Sequence, residues 1–262
     1  MSKSKFLLGL GFVLILGATP GVRAQGGITG SGAGVEEKLG AQVALDSVLK
    51  DEDGNDVTLR QLIDKPTILT LNYFRCSGIC TPLLNGLADA LNQIKLERGK
   101  QFQVITLSFD PLDTPEVARE KRINYLKEMT RPFPPSGWRF LTGSAQATKA
   151  VTDSVGFSFR ATDYGFDHAG VIIALTPKGI VSRYMYGITF IPADLEMAMQ
   201  EAASGQVRPS ISRVLALCFS YDPQGKRYVI NITRVGGVAV LILAGAFVIF
   251  LLKGKARAAT KV

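Results

Sequence analysis

The stretch "PTILTLNYF", from Pro66 to Phe74, is an unbroken run of apolar and β-branched residues. A strand with one wet face would alternate; this one does not, so it predicts a strand covered on both faces, as in sheets flanked by helices. A second such run, "FQVITLSF", occupies 102–109. Between them, from about Cys80 to Leu96, Leu83, Leu84, Leu87 and Leu91 fall at helical spacing. The remaining segments continue the alternation. "LKDEDGNDVTL" holds an Asp-Gly between β-compatible runs and predicts a hairpin. "DTPEVAREKRINYLKEM" predicts a helix with Thr114 at the N-cap and Pro115 at the first helical position. "WRFLTG" predicts a short strand, followed by a helix that Ser144 caps and that runs towards Val155. "AGVIIALTPKGIVSRYMYG" predicts two strands around the turn "TPKG", and "PADLEMAMQEAAS" a last helix ending near Gly205. The fold class is α/β, with helices on both faces of one sheet.

The two ends are of another kind. "MSKSKFLLGLGFVLILGATPGVRA" has Lys3 and Lys5, an apolar run from Phe6 to Ala18 and small residues before position 25. It reads as a signal peptide over 1–24, the apolar run being short of the roughly 20 residues of a span. "VGGVAVLILAGAFVIFLL", at 235–252, carries no charge. At about 1.5 Å per residue it is some 27 Å long, and a buried core helix rarely lacks a polar face for five turns. A membrane anchor is the reading, with a cytoplasmic tail at 253–262. Residues 25–40 are a flexible glycine-rich lead-in, 41–205 the α/β domain, and 206–234 a juxtamembrane linker. Export through the leader places the domain on the periplasmic side of the inner membrane.

This division accounts for the basic balance. Of the formal +8, Lys3, Lys5 and Arg23 carry three and Lys253, Lys255, Arg257 and Lys261 four, which leaves +1 on residues 25–252. A nucleic-acid partner needs a concentrated basic face, and the domain has none.

Cys76 and Cys80 lie four apart in "NYFRCSGICTPLLNGL". They follow a buried strand and open a helix, at the sheet edge where open α/β folds place their sites. The helix N-terminus favours thiolate over thiol. Four residues is just over one turn, so the sulfurs can face one way, as a redox dithiol, a structural disulfide or two ligands of one metal. A disulfide would suit an oxidising compartment, yet so short a loop gains little from closure. His168, the single histidine, tips the balance towards metal, because it sits in "DYGFDHAGVIIAL" directly before a strand of the same sheet. Two thiolates and an imidazole suit a soft ion such as Cu(I); structural zinc would want a fourth protein ligand. A thiol reductase, with Cys76 as nucleophile and Cys80 as resolving thiol, is the other function. Cys218, in the apolar "LALCFSY", reads as buried against the membrane surface.

Taken together and in order, "NYFRCSGIC", "LSFDPLDTP" and "DHAGVIIALTPKG" resemble the Sco/SenC family of copper-binding proteins. The likeness runs over residues 41–205. It implies a thioredoxin-like fold with extra β-hairpin elements and one C-terminal transmembrane helix added in this chain. It also implies copper, as Cu(I) with Cu(II) as a second form, held by Cys76, Cys80 and His168. The implied role is assembly of the CuA centre of cytochrome c oxidase, with the CuA-bearing subunit and a copper donor protein as partners. Asp110 and Asp113 take a structural or partner-facing role on the same resemblance. Two departures stand out: Ser77 and Thr81, not proline, follow the cysteines, and the anchor is C-terminal.

Overall fold

A computed structural model describes residues 32–208 other than Ser77, the strands at 219–222 and 227–230, and Leu243. The leader at 1–24, the tail at 253–262, Cys218 and, Leu243 apart, the apolar run at 235–252 lie outside the described residues. Among the described residues, no helix is long and apolar enough to cross a membrane.

The chain enters through β1 (Gly34–Val35) and forms the expected hairpin of β2 (Val48–Lys50) and β3 (Asp56–Thr58). Asp51 fixes its turn, one carboxylate oxygen accepting from the amides of Asp53 and Asn55, both at 2.9 Å. After the one-turn α1 (Leu59–Leu62) come β4 (Thr67–Asn72), α2 (Cys80–Gln93), β5 (Gln103–Ser108), α3 (Pro115–Lys127), β6 (Trp138–Leu141) and α4 (Ala145–Ser154). Thr114 occupies the N-cap of α3 without a side-chain cap bond, whereas Ser144 accepts from the Ala147 amide. A second hairpin, β7 (Phe157–Thr162) and β8 (Gly165–His168), precedes β9 (Val171–Leu175), β10 (Val181–Tyr186) and α5 (Pro192–Ala203). Strands β11 (Phe219–Asp222) and β12 (Arg227–Ile230) pair with each other in the linker.

The central sheet has the order β10-β9-β4-β5-β6, with β4, β5 and β6 parallel and β9 antiparallel to both of its neighbours, β4 and β10. Every residue of β4 and of β5 is buried, which is why neither segment alternates in sequence. Successive residues serve opposite cores. Leu69, Leu71 and Tyr73 pack with Leu59, Val151 and Phe157 on one side. Ile68 and Phe74 pack with α2, α3 and α5 on the other, through Leu83, Leu87, Tyr125, Leu195 and Met199. Threonines inside this sheet are satisfied: the Thr70 hydroxyl donates to that of Thr106 at 3.0 Å, and the Trp138 indole donates to Thr106 at 2.9 Å.

Two expectations change. The lead-in through Gly40 is not loose at its far end, because Gly34 and Val35 pair with Ser158 and Phe157 of β7 and the Glu36 amide bonds the Gly156 carbonyl at 2.8 Å. And 157–168, for which no element was expected, forms the β7–β8 hairpin of a separate three-stranded sheet, order β1-β7-β8.

Candidate metal centre

β4 ends at Asn72 and the chain turns through Tyr73, Phe74 and Arg75, the Cys76 amide bonding the Tyr73 carbonyl at 3.3 Å. Helix α2 then opens on Cys80. Its N-cap, Ile79, has no side-chain acceptor for the free amides of the first turn. The Cys76 sulfur takes that place, accepting from the amides of Gly78 at 3.2 Å and Cys80 at 3.5 Å. Tyr73 lies beside the pair, and its polar groups act to lower both thiols. Both cysteines are free thiols, Cys76 half-buried and Cys80 buried.

These surroundings split the pair electrostatically. Burial pushes the Cys76 thiol up, but the bonds from Tyr73, Cys80 and Gly78 outweigh it and hold Cys76 below the usual thiol range. For Cys80 burial dominates and drives the thiol far up, the Tyr73 amide offsetting only part of it. The Tyr73 phenol is pushed up to about 12, by burial first and then by its bond to Cys76. It therefore stays a donor at neutral pH.

His168 closes β8, opposite Phe159 of β7. Its Nδ1 lies 3.1 Å from the Ala169 carbonyl, which can only accept, so Nδ1 carries the proton. Nε2 then presents its lone pair, 3.0 Å from the Cys80 sulfur. Phe109, Tyr73 and Phe157 surround the ring, with centroids at 5.4, 6.0 and 6.0 Å. Burial in this aromatic setting lowers the His168 pKa, the Ala169 carbonyl and the Asp167 carboxylate opposing it in part. Asp167 itself pairs with Arg160 at 2.7 Å.

The acidic loop braces the cysteine turn from behind. Asp113 accepts from the Phe74 amide and the Ser108 hydroxyl, both at 2.6 Å, and pairs with Arg75 at 3.2 Å. Arg75 also donates to the Leu112 carbonyl. Asp110 folds inward, accepting from the Leu112 amide at 2.9 Å. Both carboxylates are buried and neither joins the cluster, so their role is structural.

One atom from each of Cys76, Cys80 and His168 comes together, all within 4.8 Å of one another. No other group of three or more such side chains with this geometry occurs among the described residues. Two sulfurs and a bare imidazole nitrogen are a soft donor set with low coordination number, suited to a monovalent soft ion. Sequence reasoning missed Tyr73; its position after a buried strand marked it as core, and nothing in its spacing shows where the hydroxyl goes.

An α/β domain of thioredoxin-like type with a Cys2His cluster at the sheet edge is the class that fold and site define. A profile of the SCO1/SenC family matches residues 36–203, well over half of the chain. The chain belongs to the SCO1/SenC family. Among curated proteins it is similar to the mitochondrial SCO1 homolog 1 of Arabidopsis thaliana, 33% identical over 138 residues, covering 50% of this chain and 38% of that protein. The match thus spans well under half of that relative's length. Among solved structures, a candidate electron transfer protein from Aquifex aeolicus VF5 is 28% identical with a TM-score of 0.58, covering 64% of this chain and 95% of its own. Arabidopsis thaliana ScoI, solved with copper bound, is 29% identical with a TM-score of 0.49, covering 60% of this chain and 96% of its own.

Proposed function

We propose that this chain is a membrane-anchored copper chaperone for the CuA centre of cytochrome c oxidase, carrying the ion as cargo on Cys76, Cys80 and His168. The observation that carries the reading is the approach of these three donors, from segments 88 residues apart, in a chain of the SCO1/SenC family. Transfer by ligand exchange follows from the chemistry: a low-coordinate soft ion accepts an incoming thiolate or imidazole before an old ligand leaves. Cys76, half-buried, is the donor a receiving protein reaches first, while Cys80 and His168 hold from within. The proposed setting is the extracytoplasmic face of the inner membrane. Support for it lies in the sequence alone, in the leader and the apolar run at 235–252.

The test loads the reduced full-length chain with Cu(I) under anaerobic conditions and counts bound ions. One tight ion per chain, lost in Cys76→Ser and in His168→Ala, is expected. Uptake unchanged in both variants would overturn the ligand set.

A second reading is favoured by the unequal thiols. A more exposed, lowered Cys76 beside a buried, raised Cys80 is the asymmetry of an attacking and a resolving cysteine. The chain would then keep the oxidase subunit's copper-ligating cysteines reduced. Turnover of a disulfide substrate without copper, abolished by Cys76→Ser, distinguishes it.

A further inference from the structure

The loop that follows β5 holds both halves of the cluster. At its far end Asp113 accepts from the Phe74 amide at 2.6 Å, close before Cys76. At its near end the Phe109 amide bonds the Asn72 carbonyl at 2.9 Å, which ties the buried Phe109 to the end of β4. The ring of Phe109 is the seat of the β7–β8 hairpin. Phe157, Phe159, Phe166 and His168 alternate with the exposed Ser158, Arg160 and Asp167, which puts all four on the hairpin's inner face. Their ring centroids lie 5.7, 4.2, 5.6 and 5.4 Å from that of Phe109. Phe159 stacks on it with the planes at 21° and stands opposite His168 in the strand pairing. The hairpin pairs with β1 and with no strand of the central sheet, so side-chain packing sets its tilt.

From this geometry we infer that Phe109 is a positioning residue for the cargo site: its ring fixes the tilt of the hairpin and so decides whether His168 joins Cys76 and Cys80 as a ligand. The inference rests on the copper reading of the site. A ligand must be held within about 0.5 Å of its productive place, and groups that orient it without touching the ion govern affinity. With a smaller side chain at 109 the four inner residues lose the surface they share. The hairpin can then tilt about Ala169 and Gly170, which join it to β9. The cysteine turn keeps its place, since Asp113 braces it independently of that ring.

The test labels the copper-free full-length protein with diethyl pyrocarbonate at His168 and with iodoacetamide at Cys80, and measures Cu(I) retention against a competing chelator. Phe109→Leu is compared with the unsubstituted chain. Phe159→Ala, at a half-buried ring, removes the stacking without opening the core. In both variants His168 is expected to be labelled about tenfold faster, the scale of the packing removed, with Cys80 as slow as before. Cu(I) retention is expected to weaken about ten- to hundredfold, as when the support behind a metal ligand is lost, and imidazole scattering in X-ray absorption should fade. His168 labelling that stays unchanged, or that rises with no loss of retention, would overturn the inference while leaving the copper site standing. So would a joint rise at His168 and Cys80, the mark of a ring that holds up the domain at large. Should Phe109→Leu fail to fold, Phe159→Ala decides alone. An unsubstituted chain that takes up no Cu(I) would overturn the site reading, and the inference with it.

Discussion

The Cys80 sulfur lies 3.0 Å from Nε2 of His168, while Nδ1 of that ring is committed to the Ala169 carbonyl at 3.1 Å. The backbone bond thus decides which nitrogen faces the sulfurs, and burial keeps that nitrogen bare. Several measurable properties follow from this pairing and from the loop that carries the cysteines.

The first is the pH dependence of copper retention. An imidazole ligand binds metal only when Nε2 is unprotonated. Burial lowers the His168 pKa, so the neutral form persists below the ordinary value of about 6.5. The histidine's share of retention is read as the difference from His168→Ala at each pH. It is expected to persist through about pH 6.5 and to fall only below it, on top of the steady decline that the raised Cys80 thiol imposes. Loss of that share already between pH 7.5 and 6.5 would show a histidine titrating unhindered. The same depression has a sign for folding. The unfolded chain binds this proton more readily, so the contribution to stability is intact above about pH 6.5 and lost as pH falls through that value towards the lowered folded pKa.

Thiol reactivity should be strongly ordered. Cys76 sits below the usual thiol range and is half-buried, whereas burial drives Cys80 up. With iodoacetamide at pH 7, peptide mass spectrometry is expected to find Cys76 alkylated at least about tenfold faster than Cys80, since only thiolate reacts. Equal rates would contradict the split environment.

Asp113→Ala should loosen the cysteine turn. The change strips partners from the Phe74 amide, the Ser108 hydroxyl and Arg75 at one stroke. Leaving the buried amide and hydroxyl unpaired costs about 2–4 kcal/mol. A lowered urea midpoint together with weaker Cu(I) retention is expected; a lowered midpoint with undiminished retention would separate the brace from the site.

Gly86→Ala tests the fit between α2 and the loop before α5. A Cβ there would stand 1.9 Å from the Ile188 carbonyl oxygen, a backbone atom that can yield only if the loop moves. The expected cost is about 1–3 kcal/mol, read as a lowered Tm. The moved loop includes Gly187, whose amide holds the Gly170 carbonyl at 2.9 Å, two residues from His168. Copper retention should therefore fall as well.

Much of this arrangement is legible in the sequence, because its signals are local. Continuous apolar runs mark β4 and β5, leucine spacing marks α2, and the cysteines follow directly from where those elements meet. The β7–β8 hairpin escaped because its face is made by distant partners. Phe159 and Phe166 cover Phe109, at centroid distances of 4.2 and 5.6 Å, and that residue belongs to the loop after β5. The alternation Phe157-Ser158-Phe159-Arg160 was present as a period-two signal, too short to stand out beside the longer runs. Gly34 and Val35 escaped for a similar reason, being held by backbone pairing that their composition does not announce. Likewise, Asp113 looks like any acidic loop residue until Phe74, Arg75 and Ser108 are seen to converge on it.

The two kinds of side chain in the cluster are mounted on foundations of unequal stiffness. The cysteines adjoin a slab of five strands with cores on both sides, while His168 ends a half-exposed ribbon in a sheet of three short strands. Any force that parts the three side chains is taken up mainly in the softer member, so the hairpin shifts while the cysteine turn keeps its place.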